Sequence, residues 1–220
     1  YSIYQTWAYQ QERADVEDDL SRIVVKDKND EVVTMSHVRI KHFKPLGLKV
    51  GYMQWGPLIL KKDGTCGCSA EVLRVLREAY LGNRVNVLRV VPNIAENSEN
   101  QRFVTMLRES GFQRKTGVPP YQTMVLPLDI SEEQMRRKLH GSWRRYLIKA
   151  EKSDIEIQEG TDAEYFDVLE MLYFEMLKRK QFTGLDLRVF VRTQQLLSNG
   201  EKMSVVVAYC IGQPVAAHVA

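Results

Sequence analysis

Two segments near opposite ends of the chain share one layout, and that repetition limits the possible folds more than any other feature. Val24-Val25-Lys26-Asp27, a turn, then Val32-Val33-Thr34-Met35 reappears as Val206-Val207-Ala208-Tyr209, a turn, then Pro214-Val215-Ala216-Ala217. Short β-branched runs broken by turn residues are the mark of an antiparallel hairpin, and each copy follows helical sequence. The reading is an internal duplication of one α/β module with mixed sheets. The second copy stops after its opening hairpin, so about one and a half copies are expected. The domains expected are a first module over 1–129, a basic helical connector over 130–152, and the opening part of a second module over 153–220.

Between these landmarks the chain reads as alternating helices and strands. Residues 1–17 form a helix with Tyr4, Trp7 and Ala8 inward. Ser21 to Asp27 is a strand, Lys28-Asn29-Asp30 a turn, and Glu31 to Phe43 a long alternating strand with Val33, Met35 and His37 on one side. Leu48 to Trp55 is a third strand, ending at Gly56-Pro57. Ser69 caps a helix whose Val72, Leu73, Leu76 and Tyr80 recur at helical spacing. Val85 to Val91, closed by Pro92, reads as a buried strand. Ser98 caps a helix that buries Phe103, Met106 and Leu107 and stops at Gly111, and Thr123 to Leu128 is another strand. Ser131-x-x-Gln134 and Thr161-x-x-Glu164 are capping boxes. The second opens a helix with Phe166, Leu169, Tyr173 and Met176 inward. A helix over 186–197 and a strand, Gly212-Gln213 turn and strand complete the chain.

The connector has the most unusual composition. From Gln134 to Lys152 there are seven Lys or Arg and one acid, Glu151, although the chain's formal net charge is only +3. On a helical projection Trp143, Leu147 and Ala150 share one face, while Arg145, Lys149 and Lys152 form a stripe on another. Such a helix packs by its apolar face and offers cations to an anionic partner, or it is a solvated linker. Composition alone does not choose between the two.

Other classes are disfavoured. No apolar run approaches the roughly 20 residues that span a bilayer, so no stable membrane insertion is expected. The N-terminus lacks a basic-then-apolar signal. Three cysteines set no disulfide framework, and a reduced, cytoplasmic setting is expected. Cys66-x-Cys68 supplies half of the ligands a zinc site needs, and no second cluster accompanies it, so no metal is expected.

Taken in order, Tyr4-Gln5-Thr6-Trp7, Gly56-Pro57, Leu88-Arg89-Val90-Val91-Pro92, Ser110-Gly111-Phe112, Thr123 to Leu128 and Trp143-Arg144-Arg145 through Ala150 resemble the FemABX family. Its members look like two fused GNAT-type acyltransferase folds. The resemblance implies transfer of an aminoacyl group from aminoacyl-tRNA to an amine of a peptidoglycan-precursor peptide, with no other cofactor. It also implies that the second domain continues past Ala220, so that this stretch alone could be inactive. The chain departs from members that act on nucleotide-linked muropeptides. Gln11 stands where they carry a Lys, Val91 where they carry an acid, and Leu185, with Arg188 nearby, where they carry an Arg. The long helical arm of some members is absent.

No Ser-His-Asp or Cys-His set is spaced for covalent catalysis, which leaves direct attack of an amine on the acyl carbonyl. Tyr52, Tyr121 and Glu71 are unranked candidates for the base. The candidate substrate-binding residues are Gln11, Tyr52, Arg144, Arg145 and Lys149, the arginines because guanidinium grips phosphate with paired donors. Gly64-x-x-Gly67 is the nearest approach to a CoA pyrophosphate loop. Two further functions stay open: an acyl-CoA-dependent N-acyltransferase acting on a sugar or small amine, and a non-catalytic module that binds an anion.

Overall fold

The alternating run from Asp19 to Gln54 folds as a three-stranded antiparallel meander in a computed structural model. The structure describes residues 3–13, 19–62, 65–66, 69–95, 97–118, 122 and 127–220. The meander consists of β1 (Asp19–Lys26), β2 (Val32–Phe43) and β3 (Leu48–Gln54). In the first turn, Asp27 Oδ1 accepts from the N–H groups of Asn29 and Glu31 at 2.8 and 3.0 Å. This is the local bond that makes Asp a turn former. Gly47, in the left-handed region at φ 59°, closes the second turn.

After β3 the chain returns as β4 (Leu58–Ile59), which pairs with β2 at Thr34 and Met35. A two-stranded ribbon, β5 (Lys61–Lys62) and β6 (Thr65–Cys66), follows. Then comes helix α2 (Ala70–Tyr80), whose N-cap Ser69 accepts from Val72 N–H as the sequence predicts. It leads to β7 (Val87–Val91), which pairs with β3 in parallel, so α2 lies in the crossover that a parallel pair requires. Sheet order is β1-β2-β3-β7, with β4 also on β2. Helix α3 (Gln101–Glu109) completes this unit, which spans Tyr1–Thr116. One sheet face supplies Val38, Ile40 and Met53 to a core with Tyr80 and Val85. Leu73, Leu76 and Phe103 form a second cluster against Ile23, Val25 and Ile59.

The second unit, Gly117–Ala220, begins with α4 (Glu132–Lys138) and α5 (Gly141–Glu151). The predicted capping box at Ser131 and Gln134 is present. Strand β8 (Ile155–Gly160), helices α6 (Ala163–Lys180) and α7 (Arg188–Leu196), and the hairpin of β9 (Val205–Cys210) and β10 (Gln213–Val219) follow. The sheet is antiparallel in the order β10-β9-β8. Phe166, Leu169, Val189, Met203, Val205 and Val207 are buried. Gln194 ties α7 to its surroundings, donating to Thr161 O and Met203 O and accepting from Met203 N–H at 2.9 Å.

Several sequence expectations are corrected. Among the described residues of the predicted first helix, Ile3–Gln5 form a short 3-10 turn and Trp7–Arg13 form helix α1, with Trp7 facing outward at 52% exposure. In β2 the buried row is Thr34, Ser36, Val38 and Ile40, while Met35 is exposed. β7 is not buried: it pairs with β3 alone among the described strands, and Val87 and Val91 are exposed. Asn97, not Ser98, caps the turn before α3. Asp162, not Thr161, stands at the N-cap of α6, and no side-chain cap forms there. The β9–β10 turn is Ile211-Gly212, both at positive φ, because a two-residue hairpin needs that twist. The predicted strand over 123–128 lies mostly outside the described residues, as do Tyr121, Gly64, Gly67 and Cys68.

Candidate functional site

The first unit gathers buried polar side chains at one corner, where β3 leaves β2. Gln5, Thr6, Gln10, Thr34, Ser36 and His37 are all buried, and polar burial is more informative than apolar burial because each group needs a partner. β3 pairs with β2 only as far as Tyr52 opposite Arg39. The chain then swings away through Trp55, at φ 58°, and Gly56-Pro57, before β4 rejoins β2. This bulge would leave His37 N–H and Gln54 C=O without ladder partners. The Gln5 side chain takes the missing strand's place: its Oε1 accepts from His37 N–H at 3.2 Å and its Nε2 donates to Gln54 O. Gln10 Nε2 donates to Tyr4 O at 2.5 Å, and the Tyr4 ring stacks on Trp55 with centroids 5.7 Å apart. Glycine is required at position 56, since a Cβ there would lie 2.5 Å from Ser36 Oγ and 3.2 Å from Gln5 Nε2.

The corner sits at the carboxyl end of the parallel pair β3 and β7, where Trp55 N–H donates to Val91 O at 2.7 Å. Crevices at the carboxyl ends of parallel strands are the usual ligand position in α/β sheets. His37 is only 5% exposed, and among the described residues its Nδ1 meets no hydrogen-bond partner. Burial, reinforced by the Arg22 charge on the paired strand, lowers its pKa, so the imidazole is neutral near pH 7.

The sheet face opposite α2 and α3, on which α1 lies, is cationic and aromatic. Register places Arg39, Tyr52 and Arg89 in one row across β2, β3 and β7, with Arg22 opposite His37 in the next row. The Arg39 guanidinium stands 5.9 Å from the Tyr52 ring centroid, and that of Arg22 5.2 Å from Trp7. Gln11 accepts from Arg22 Nη2 at 3.2 Å. The structure therefore brings Gln11 and Tyr52 to one face, in company that the sequence reading did not name. Glu71 lies elsewhere, exposed in the first turn of α2 with Arg74 4.0 Å away.

In the second unit the predicted site residues lie on α5. Arg144 Nη2 donates to Arg137 O at 2.7 Å and Leu139 O at 3.2 Å, so it satisfies the last carbonyls of α4. Arg136 joins Glu132 at 2.7 Å and Glu151 at 2.5 Å, holding the Glu151 carboxyl below its ordinary range, and Arg137 pairs with Glu133. Arg145 and Lys149 are exposed. On the apolar face of this helix Trp143 and Ala150 are exposed and Leu147 is half-buried, and α5 fully buries no residue. Arg188, which the sequence places near Leu185, is engaged by Asp186 at 2.9 Å on both oxygens. A groove of about 560 Å³ between α6 and β10, lined by Leu169, Tyr173 and Met176 with Glu175 and Arg179, contains none of the predicted site residues.

These features define a mixed α/β chain of two units, each with an antiparallel hairpin, carrying a cationic sheet face in one and a basic helical pair in the other. A solved structure described as the crystal structure of FemX has this fold. It matches with a TM-score of 0.76 at 16% identity, over 95% of this chain and 53% of the FemX chain. The chain thus spans about half the length of that protein. No protein-family profile matches the sequence, and no curated protein does either. No helix among the described residues is long and apolar enough to cross a membrane.

Proposed function

We propose that the chain is part of a cytoplasmic acyltransferase that moves an aminoacyl group from aminoacyl-tRNA to an amine of a peptidoglycan-precursor peptide. The observation that carries this reading is the FemX-like fold over 95% of the chain, taken with the motif order that resembles the FemABX family. The two cationic surfaces support it, because an RNA donor and a phosphate-linked acceptor are both anionic.

In the reaction the acceptor nitrogen attacks the ester carbonyl of the charged tRNA. A C–N bond forms, the C–O bond to the terminal ribose breaks, and the amine proton ends on the released ribose oxygen. Tyr52, beside Arg39 and in a row with Arg89, is the residue of this face best placed to meet a polar substrate group. Arg145 and Lys149 face the anionic donor, whereas Arg144 holds the helical pair together.

The test is to incubate full-length protein with charged tRNA or with acetyl-CoA, each with candidate amine acceptors. Product from charged tRNA alone is expected. Product from acetyl-CoA alone would make the protein a CoA-dependent N-acyltransferase, and product from neither would leave an anion-binding module.

A further inference from the structure

The α4–α5 pair divides its cations into two sets. Arg136, Arg137 and Arg144 are consumed internally, by Glu132, Glu151, Glu133 and the closing carbonyls of α4. Lys138, Arg145, Lys149 and Lys152 make no ion pair among the described residues and stand exposed. Two aromatic side chains accompany them: Trp143 is 67% exposed and Tyr146 70%. They lie one helical turn apart and therefore project side by side. Among the described residues neither ring enters a core, and α5 buries nothing. Single exposed apolar residues are ordinary. A Trp and a Tyr adjacent on one face, bordered by uncommitted cations, are a different matter.

We infer that Trp143 and Tyr146 form a stacking platform for unpaired nucleotides of an RNA ligand, with Arg145 and Lys149 holding its phosphates. The inference rests on the proposed RNA donor and adds where, and by which residues, its single-stranded part is held. Aromatic faces accept any base, and adjacent cations follow the backbone charge, which is how single strands are bound without reading sequence. A lipid surface would also take aromatic and basic residues. It fits less well, because the face that would enter the bilayer is narrow and is bordered on one side by the Arg144 and Glu151 contacts to α4.

The test uses full-length protein and fluorescence anisotropy with a labelled single-stranded RNA of about eight nucleotides, a duplex of the same sequence, and vesicles with and without anionic phospholipid. Wild type is expected to prefer the single strand. Trp143→Ala with Tyr146→Ala should weaken that binding about tenfold or more, while Trp143→Phe with Tyr146→Phe largely restores it. Arg145→Gln with Lys149→Gln should reduce the salt slope by about 1.4. Equal affinity of the Ala pair and wild type, equal affinity for duplex and single strand, or binding to anionic vesicles but not RNA would each overturn the platform. Transfer from charged tRNA is measured alongside. Transfer that survives the Ala pair at unchanged RNA affinity rejects the platform and leaves the proposed function standing. RNA binding lost in the Ala pair, with no transfer from charged tRNA by wild type, rejects the proposed function and keeps the platform.

Discussion

Gln5 does in one side chain what a β-strand residue does with its backbone. Its amide presents a carbonyl oxygen to His37 N–H and an NH₂ to Gln54 O across the gap where β3 departs. Gln5→Leu keeps a similar size but leaves both backbone groups buried without partners, each costing about 1–3 kcal/mol. Urea denaturation should show a loss of roughly 2 kcal/mol or more. His37 provides a second residue-level prediction. Its folded pKa is lowered, so between that value and the unfolded value of about 6.5 the unfolded chain binds the extra proton. Stability is therefore undiminished above about pH 6.5 and falls as pH drops below it, until the folded pKa is passed. Melting curves from about pH 7.5 to 5 should show this fall in wild type and a smaller one in His37→Gln. Neither role was legible in the sequence, which shows Gln5 only as part of a landmark and His37 only as one side of a strand. Gln, Ser and Thr are ordinarily surface residues, and only the bulge, a tertiary feature, turns Gln5 into a surrogate strand.

Elements were legible where local chemistry decides them. Ser69 and the Ser131–Gln134 box cap as expected, because a side-chain oxygen three residues ahead of an orphan amide is a purely local arrangement. Ser131→Ala should cost about 1 kcal/mol of local stability, seen as roughly fivefold faster hydrogen exchange at Gln134 and Met135. Elements were misread where a neighbour decides. The β-branched run Val87 to Val91 reads as buried, yet it has β3 on one side only among the described strands, and alternate side chains are exposed. The apolar positions of α5 leave a packing face and a solvated linker both open in the sequence, and it is Arg136 and Arg144 that join the helix to α4, through charge and carbonyls. Periodicity locates a helix's apolar side, but it cannot say whether protein lies against it.

At the scale of the molecule, the repeated hairpin proved the most useful signal, since β1–β2 and β9–β10 are both antiparallel hairpins. The functional surfaces were half visible. The basic stretch stands out from a chain of net charge +3, whereas the Arg39–Tyr52–Arg89 row exists only once strands align. Because the positive charge is concentrated rather than spread, transfer from a polyanionic donor should depend on salt more steeply than the net charge suggests. With three or four phosphates engaged, kcat/KM for charged tRNA should fall by about 20- to 150-fold between ~50 and ~200 mM salt. A neutral aminoacyl ester offered as donor should show little change.

The parallel seam between β3 and β7 has a consequence for the order in which the first unit assembles. β1, β2 and β3 meet through short turns, and closing such loops costs little chain entropy. β7 reaches β3 only after the chain has run through β4, the small ribbon and α2. The meander can therefore form early from contacts near in sequence, while the seam waits for the crossover helix to settle on the sheet. Because the corner with Gln5 and His37 lies at the end of that seam, the candidate site is among the last parts of the unit to take shape.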